Sequence, residues 1–275
     1  MTSSSPLMEA AKAPVGNHRR SFVDMIAPLD RLAADSLHLL GNREARFLRD
    51  GESFWLPRFK FVGPQGGAAP IQVGVFGGIH GDEPARVSGL VRFVELLESD
   101  PEIARGYTLF FYPVCNLTGF ADGTRHARSG KDLNREFWRG SSEPEVRLLE
   151  NELAENRFDG LIALHSDDTS DGLYGFTSGA LFTEELLRPA LRAAGTFLPV
   201  NQCTVIDGFH AREGICRQGY PGVLSAPAKA SPRPFEIVFE TPQHAPMELQ
   251  ERAFVVALET ILQEYRRLIA YGADL

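Results

Sequence analysis

The most constraining feature of this chain is a short polar motif that directly follows an apolar, glycine-broken run. The run covers residues 71–79 and contains two adjacent glycines near its end, which predicts a buried strand that enters a tight loop. The motif then places His80 and Glu83 three residues apart. Pro84 follows, and because proline is common in the first turn of a helix, the sequence predicts that a helix begins there.

A histidine and a carboxylate at this spacing can bind one metal ion. Side chains three residues apart at the start of a helix can point the same way, and together they provide two of the three protein ligands of a catalytic zinc site. The same spacing often arises by chance, and a surface His–Glu pair is the alternative interpretation. The position of His80 and Glu83 at the end of a buried strand favours the metal site.

A basic segment follows the next apolar run. The run over 107–112 predicts a strand, and the polar, glycine-rich stretch over 116–137 predicts one long loop. This stretch contains four Arg or Lys residues in an acidic chain. An anionic group is therefore its expected partner.

Two later strands also end in candidate functional residues. The short apolar run 161–164 leads into His165, a candidate third metal ligand. Alternation of side-chain types predicts a strand in the segment 235–242, with the carboxylate of Glu240 near its end. All candidate ligands then lie just past strand ends, where open α/β sheets bind ligands.

The ordered combination of these motifs resembles the zinc metallocarboxypeptidase superfamily. The motifs are H-x-x-E, G-T-R-x(8)-N-R, L-H-S and a strand-terminal E-T-P, and they span residues 73–242. Relatives in that superfamily include the murein-peptide amidases and the succinylglutamate desuccinylase/aspartoacylase group. The combination is far more specific than any one of its motifs.

The resemblance implies one zinc ion per chain, with His80, Glu83 and His165 as its ligands. It implies that Glu240 is the general base, which takes a proton from water and passes it to the leaving nitrogen. A strand-end glutamate on the protein surface is the alternative for Glu240. Asp132 is expected either to orient a zinc-bound imidazole or to fix the backbone of its loop.

The resemblance also assigns the substrate contacts. Arg125 would stabilise the oxyanion, with Arg128 as a competing candidate and a solvated loop arginine as the alternative. Asn134 and Arg135 would bind a substrate carboxylate through paired hydrogen bonds. Tyr220 precedes the base at a distance similar to that of the mobile substrate-binding tyrosine of the carboxypeptidases, and an ordinary packed loop tyrosine is its alternative.

Alternating helices and strands predict an α/β protein with a mixed, mostly parallel central sheet and helices on both sides. The resemblance implies a single-domain, three-layer α/β/α sandwich like that of the zinc carboxypeptidases. Residues 1–20 are predicted to be a flexible tail and residues 21–275 the hydrolase domain. Helices are predicted over 21–48, after Glu83, and over 143–156, 183–194 and 246–271, and an edge strand over 54–62. The apolar stripe of the last helix, which extends from Phe254 to Ile269, is predicted to pack in the core.

Composition limits the partners and the compartment. The net charge of −8 and the pI near 5.4 argue against nucleic acid or an anionic membrane as the main partner. No membrane span and no secretion signal is predicted. The three cysteines, Cys115, Cys203 and Cys216, have no metal-like spacing, which favours a reduced, cytoplasmic protein with each thiol buried. A Cys203–Cys216 pair is the alternative, and the oligomeric state is left open.

The predicted reaction is hydrolysis of an amide next to a free carboxylate, in a short peptide or an N-acyl amino acid. One predicted helix follows Glu240, whereas aspartoacylase-like enzymes have a β-rich domain there, and the spacing after G-T-R is closer to that of carboxypeptidases and amidases. An N-acyl amino acid deacylase of the desuccinylase/aspartoacylase type is the alternative enzyme. A non-catalytic zinc-binding relative is disfavoured because the expected metal-binding, catalytic and carboxylate-binding positions all hold competent residues.

Overall fold

The computed structural model describes residues 19–67, 69–217 and 219–273. Residues 1–18 of the predicted tail therefore lie outside the described residues. Its last two residues make hydrogen bonds, because Arg19 donates to the side chain of Glu52 and the amide of Arg20 donates to the carbonyl of Ala121.

The helices are α1 (Phe22–Asp35), α2 (Pro84–Ser99), α3 (Leu117–Asp122), α4 (Pro144–Glu155), α5 (Ala180–Phe182), α6 (Arg188–Ala194) and α7 (Met247–Ala273); a π-helical turn (Thr183–Leu187) joins α5 to α6. The strands are β1 (Leu39–Asn42), β2 (Arg46–Arg49), β3 (Glu52–Trp55), β4 (Arg58–Val62), β5 (Ile71–Phe76), β6 (Tyr107–Tyr112), β7 (Gly160–Asp167), β8 (Tyr174–Thr177), β9 (Val205–Ile206), β10 (Phe209–Arg212), β11 (Ile215–Cys216) and β12 (Phe235–Pro242).

Ten of these strands form one mixed sheet in the order β1-β4-β6-β5-β7-β12-β8-β11-β10-β9, and β2 and β3 form a separate hairpin. The four strands at its centre, β6, β5, β7 and β12, run parallel. Antiparallel β4 and β8 flank them. The carboxyl ends of the four parallel strands therefore meet along one edge, which is where ligands bind in open α/β sheets.

Helices cover both faces of the sheet, because successive side chains of each buried strand point to opposite faces. One face, with residues such as Val75, Phe111 and Leu164, packs against α1, α2, α6 and α7. The other face, with residues such as Phe76 and Leu161, packs against α4. The predicted fold class, a three-layer α/β/α sandwich with a mixed central sheet, is confirmed.

The predicted packing stripe of the last helix is core over most of its length. Phe254, Leu258, Ile261 and Leu262 of α7 are fully buried. The prediction is wrong at the end of the stripe, because Ile269 is 41% exposed. Within the described part of the chain, no helix combines the length and hydropathy that a bilayer span requires.

Two sequence predictions in the amino-terminal part are wrong. The helix predicted over 21–48 ends at Asp35, because the hydroxyl of Ser36 accepts hydrogen bonds from the amides of His38 and Leu39 and turns the chain into β1. The edge strand predicted over 54–62 is interrupted at Pro57, which cannot donate to a ladder. Its second half, β4, pairs on both sides, so that β1 forms the edge instead.

Other corrections concern the loop and the cysteines. The stretch 116–137 is not one long loop, because Asn116 accepts a hydrogen bond from Gly119 N (2.8 Å) and caps α3 within it. All three thiols are free, and Cys203 is exposed rather than buried because it precedes β9 in a surface loop.

The loop after β5 is held tightly against the chain that follows β6. The amides of Cys115 and Asn116 donate to the carbonyls of Gly77 (3.1 Å) and Gly78 (2.7 Å). At Gly81, a Cβ atom would lie 2.0 Å from the carbonyl carbon of Gly119 in α3. The absence of a side chain at Gly81 is thus what allows the His80–Glu83 loop and α3 to touch.

Gly81→Ala is expected to destabilise the fold, because the added methyl collides with backbone that cannot move alone. Overpacking of this kind costs about 1–3 kcal/mol or more. Gly41→Ala is the control, since its Cβ would have its nearest contact at 3.4 Å; we expect a change below about 1 kcal/mol there. Urea unfolding of both variants measures the difference, and equal stabilities would contradict the close contact.

Candidate functional site

The three predicted metal ligands lie together at the carboxyl edge of the sheet. His80 and Glu83 come from the loop between β5 and α2, and His165 comes from β7, the parallel neighbour of β5. All three are buried, and one ligand atom from each lies within 4.8 Å of the others. His165 follows Glu83 by 82 positions in the sequence. The contact between the ends of β5 and β7 therefore brings distant parts of the chain together.

The chemistry of this cluster fits a zinc ion. Nε2 of His165 is buried without a hydrogen-bond partner among the described residues, although buried polar atoms are normally paired. Burial, and then the positive charges nearby, lower the pKa of His165 well below its ordinary value. A neutral imidazole can donate a lone pair to a metal, and two imidazoles with one carboxylate are a typical catalytic zinc set.

Asp132 holds the ring of His80. The Nε2 atom of His80 is 3.2 Å from Asp132 Oδ1, and its Nδ1 atom is 2.9 Å from Glu83 Oε1. Asp132 also accepts a hydrogen bond from Asn134 N (2.9 Å). Burial disfavours the ionised form of Asp132, but the hydrogen bond from His80 and the neighbouring positive charges outweigh it and lower its pKa. The contact of Asp132 with His80 suits the orientation of the imidazole, and its contact with Asn134 N suits fixing of the loop backbone.

Sequence reasoning missed Arg86, which lies beneath the cluster. Its side chain is completely buried in α2 and forms an ion pair with Glu83. It also donates to the carbonyls of His80 (2.8 Å) and Glu83 (3.2 Å). Burial lowers the pKa of Arg86, while the charges of Glu83 and Glu240 oppose that shift. The available sequence indication was a charged residue directly beside the apolar stripe of α2.

Glu240 lies beside the cluster on β12. In the parallel pairing of β12 with β7 it is opposite His165, two residues before the strand ends at Pro242. The residue as a whole is 9% exposed. Burial, and then the negative charge of Glu83, raise the pKa of Glu240 well above its ordinary value. A carboxylate with a raised pKa is suited to accept and then hold a proton.

The predicted substrate-binding residues line one cavity with the cluster. Arg125, Asn134, Arg135 and Tyr220 border a cavity of about 280 Å³ that also includes His80, His165 and Glu240. We call it the clamp cavity.

Arg125 spans the rim of the clamp cavity. Its Nη1 atom lies 3.6 Å from Glu83 Oε1, and its Nη2 atom lies 3.4 Å from Asp132 Oδ2. The side chain is 44% exposed and therefore accessible from the cavity. The competing candidate Arg128 is held elsewhere by Asp122 (2.8 Å), and it does not line this cavity.

Arg135 and Asn134 are held by their neighbours. The guanidinium carbon of Arg135 lies 3.9 Å from the ring centroid of Tyr220, a cation–π contact. The Tyr220 hydroxyl donates to Asp207 (2.9 Å). Asn134 Oδ1 accepts a hydrogen bond from Leu224 N (2.9 Å), whereas its amide nitrogen has no protein partner within the described ranges. Nη1 of Arg135 donates to the carbonyl of Asn134 (2.8 Å), so that the rest of the guanidinium and the Asn134 amide nitrogen remain as donors at the cavity.

Part of the chain matches the model of a known protein family. Residues 70–200 match the family model of the succinylglutamate desuccinylase/aspartoacylase catalytic domain. That segment includes His80, Glu83 and His165, whereas Glu240 lies beyond it. No curated protein matches the sequence significantly.

Several solved structures share the fold. A candidate metallopeptidase from Shewanella denitrificans has a TM-score of 0.71 and 22% identity, over 95% of this chain and 98% of that one. A metallo-carboxypeptidase from Burkholderia cenocepacia has a TM-score of 0.69 and 17% identity, over 91% of this chain and 70% of that one. Bovine thrombin-activatable fibrinolysis inhibitor has a TM-score of 0.67 and 16% identity, over 90% of this chain and 97% of that one.

The architecture is thus carboxypeptidase-like, with a His–Glu–His cluster at the carboxyl edge of its sheet. Residues 70–200 are thus similar to the succinylglutamate desuccinylase/aspartoacylase catalytic domain, and the fold of the chain is similar to that of solved metallopeptidases and carboxypeptidases.

Arg86→Met is expected to lower the free energy of unfolding by about 3–5 kcal/mol, because it leaves the buried carboxylate of Glu83 without its cation. Arg252→Met is the control, since Arg252 and its partner Glu248 are both more than half exposed, and exposed pairs contribute about 0–1 kcal/mol. Urea unfolding with a chelator present keeps metal binding out of the comparison. Similar losses in the two variants would show that Arg86 does not support the site.

Proposed function

We propose that this protein is a zinc-dependent hydrolase that cleaves an amide bond next to a free carboxylate, in a short peptide or an N-acyl amino acid. The observation that carries the proposal is the buried cluster of His80, Glu83 and His165 directly beside Glu240. The guanidinium of Arg135 at the same cavity supports recognition of a carboxylate.

The residues around the cluster have complementary roles. Zinc held by His80, Glu83 and His165 would supply Lewis acidity and a lowered pKa for water. Glu240 accepts a proton from the attacking water and delivers it to the leaving nitrogen. Arg125 donates hydrogen bonds to the carbonyl oxygen as negative charge develops on it.

The clamp residues select and orient the substrate. Arg135 presents two parallel N–H groups to the substrate carboxylate, and the amide nitrogen of Asn134 adds a third donor. Tyr220 holds the Arg135 guanidinium by packing its ring against it. A carboxylate fixed in this way keeps the neighbouring amide close to Glu240.

An N-acyl amino acid deacylase is the second candidate. The match to the succinylglutamate desuccinylase/aspartoacylase catalytic domain favours it. The leaving group is the same, an amine that bears a free carboxylate, and only the acyl side differs. A screen of short peptides against N-acetyl and N-succinyl amino acids separates the two candidates.

One zinc ion is expected per chain, and His165→Ala is expected to reduce it at least tenfold, because the site keeps only two protein ligands. His126→Ala is the control, since His126 is exposed and lies outside the cluster. Elemental analysis of the three purified proteins measures the zinc. Equal zinc in the His165 variant and the wild type would rule out this ligand set.

Glu240→Gln is expected to reduce kcat at least ~100-fold while zinc content and the unfolding midpoint stay unchanged. The amide has the size of the carboxylate but cannot accept the proton of water at neutral pH. Steady-state kinetics on a cleaved peptide, together with metal analysis, test this. Activity within a few-fold of wild type would assign the base role to another group.

Arg135→Ala is expected to lower kcat/KM at least ~30-fold, as does capping the substrate carboxylate as an amide. The two losses should not add, because either change removes the same interaction. Arg139→Ala is the matched control, since Arg139 is an exposed arginine of the same segment that does not line the clamp cavity. Equal rates on free and amidated substrates would mean that the enzyme cleaves internal bonds.

A further inference from the structure

A second cavity adjoins the metal cluster. It measures about 190 Å³ and shares His80, His165, Glu240, Arg125 and Arg135 with the clamp cavity. Its wall also includes four carboxylates: those of Asp82, Asp167 and Asp168, and that of Asp207, which lines the clamp cavity as well. We call it the acidic cavity. The two cavities meet at the cluster, so that one substrate can extend from the clamp cavity into the acidic cavity.

The four carboxylates form no ion pair with any Lys, Arg or His side chain of the described residues. Asp167 accepts hydrogen bonds from Tyr174 (2.8 Å) and Thr169 (2.7 Å), and Asp207 accepts one from Tyr220 (2.9 Å). These donors are neutral. Across residues 19–67, 69–217 and 219–273, no Lys, Arg or His nitrogen lies within 4.0 Å of any of the four carboxylates. Arg125 and Arg135 instead lie next to Asp132 and Tyr220.

One carboxylate oxygen of this wall is buried without a hydrogen-bond partner among the described residues, namely Oδ1 of Asp82. Burial raises the pKa of Asp207, and the negative charge of Asp167 adds to that shift, while the hydrogen bond from Tyr220 and the charges of Arg135 and Arg125 oppose it. The carboxylates of Asp167 and Asp207 thus repel each other, and an additional cation would relieve this repulsion.

We propose that the acidic cavity binds a positively charged amine on the acyl side of the scissile bond. The preferred substrates are then aminoacyl compounds, such as short peptides with a free amine, rather than N-acetyl or N-succinyl amino acids. This inference rests on the proposed function, because the clamp cavity must hold the carboxylate of the leaving group. A succinyl carboxylate would meet the four aspartates and be repelled.

The reaction itself is the same for all three acyl groups. The oxygen of water bonds to the acyl carbon, the carbon–nitrogen bond breaks, and the leaving nitrogen takes the proton that Glu240 accepted. Only recognition of the acyl group differs. Matched substrates that differ only in that group therefore isolate the contribution of the acidic cavity.

The test uses glycyl, acetyl and succinyl derivatives of leucine. Glycyl-leucine and acetyl-leucine differ by one ammonium group, and the apolar Leu161, Ala163 and Val238 in the clamp cavity suit the common leaving group. With zinc-loaded wild type, we expect kcat/KM for the glycyl compound to exceed that for the acetyl compound at least tenfold, and the succinyl compound to be slowest. Equal or faster cleavage of the acetyl or succinyl compound overturns the inference and leaves the hydrolase proposal intact.

Variants connect the preference to the aspartates. Asp167→Asn and, separately, Asp207→Asn should each reduce the glycyl-to-acetyl ratio at least fivefold. Asp207 has a positive φ of 51°, which asparagine tolerates. Asp171→Asn, an exposed aspartate outside the cavity, is the control and should leave the ratio unchanged. Unchanged ratios in both cavity variants would overturn the inference.

Binding separates a failure of recognition from a failure of catalysis. Calorimetry with Glu240→Gln measures affinity for the uncut compounds, and we expect glycyl-leucine to bind at least tenfold more tightly than acetyl-leucine. If wild type cleaves none of the compounds but this binding difference is present, the hydrolase proposal fails and the inference stands. If the two compounds bind equally, the inference is overturned whether or not cleavage occurs.

Discussion

The buried ion pair between Arg86 and Glu83 is the interaction on which the site depends. Glu83 is a candidate metal ligand that is itself almost completely buried, and a buried carboxylate without compensation is costly. Arg86 supplies the opposite charge and also binds the carbonyls of His80 and Glu83. One side chain therefore fixes both the carboxylate and the backbone that carries the histidine. Ser166 N, which donates to Glu83 (2.6 Å), connects this unit to β7.

Negative charge is distributed unevenly across the site. Arg125, Arg135 and Asp207 border both cavities, whereas Asp82, Asp167 and Asp168 border only the acidic cavity. The cluster and Glu240 lie where the two cavities meet. Under the proposed binding mode, a molecule with a carboxylate at one end and an ammonium group at the other places the ammonium group beside the three aspartates that border only the acidic cavity.

The sequence predicted the elements whose patterns are local. Strands β5 and β6 and helix α2 begin at the predicted residues, and α4 and α7 begin and end within about two residues of the expected positions. Buried runs, proline at helix starts and apolar stripes are strong short-range patterns. The elements that the sequence did not predict correctly depend on contacts with distant parts of the chain or on single polar groups. The helix after residue 21 ends early because of Ser36, and the short strands β8 to β11 were not predicted because each is stabilised mainly by its neighbours in the sheet.

The sequence by itself determined which chemical groups are available and in what order: His80, Glu83, His165 and Glu240, each near the end of a strand. Only the tertiary structure decided that these groups converge, since parallel pairing of β5, β7 and β12 places their ends side by side. It also decided that Arg86 is buried beneath Glu83, that Arg128 is bound by Asp122, and that the aspartates form one cavity. The reason is physical, because burial and the distance between charges depend on the packing of distant segments and are not encoded in any local pattern.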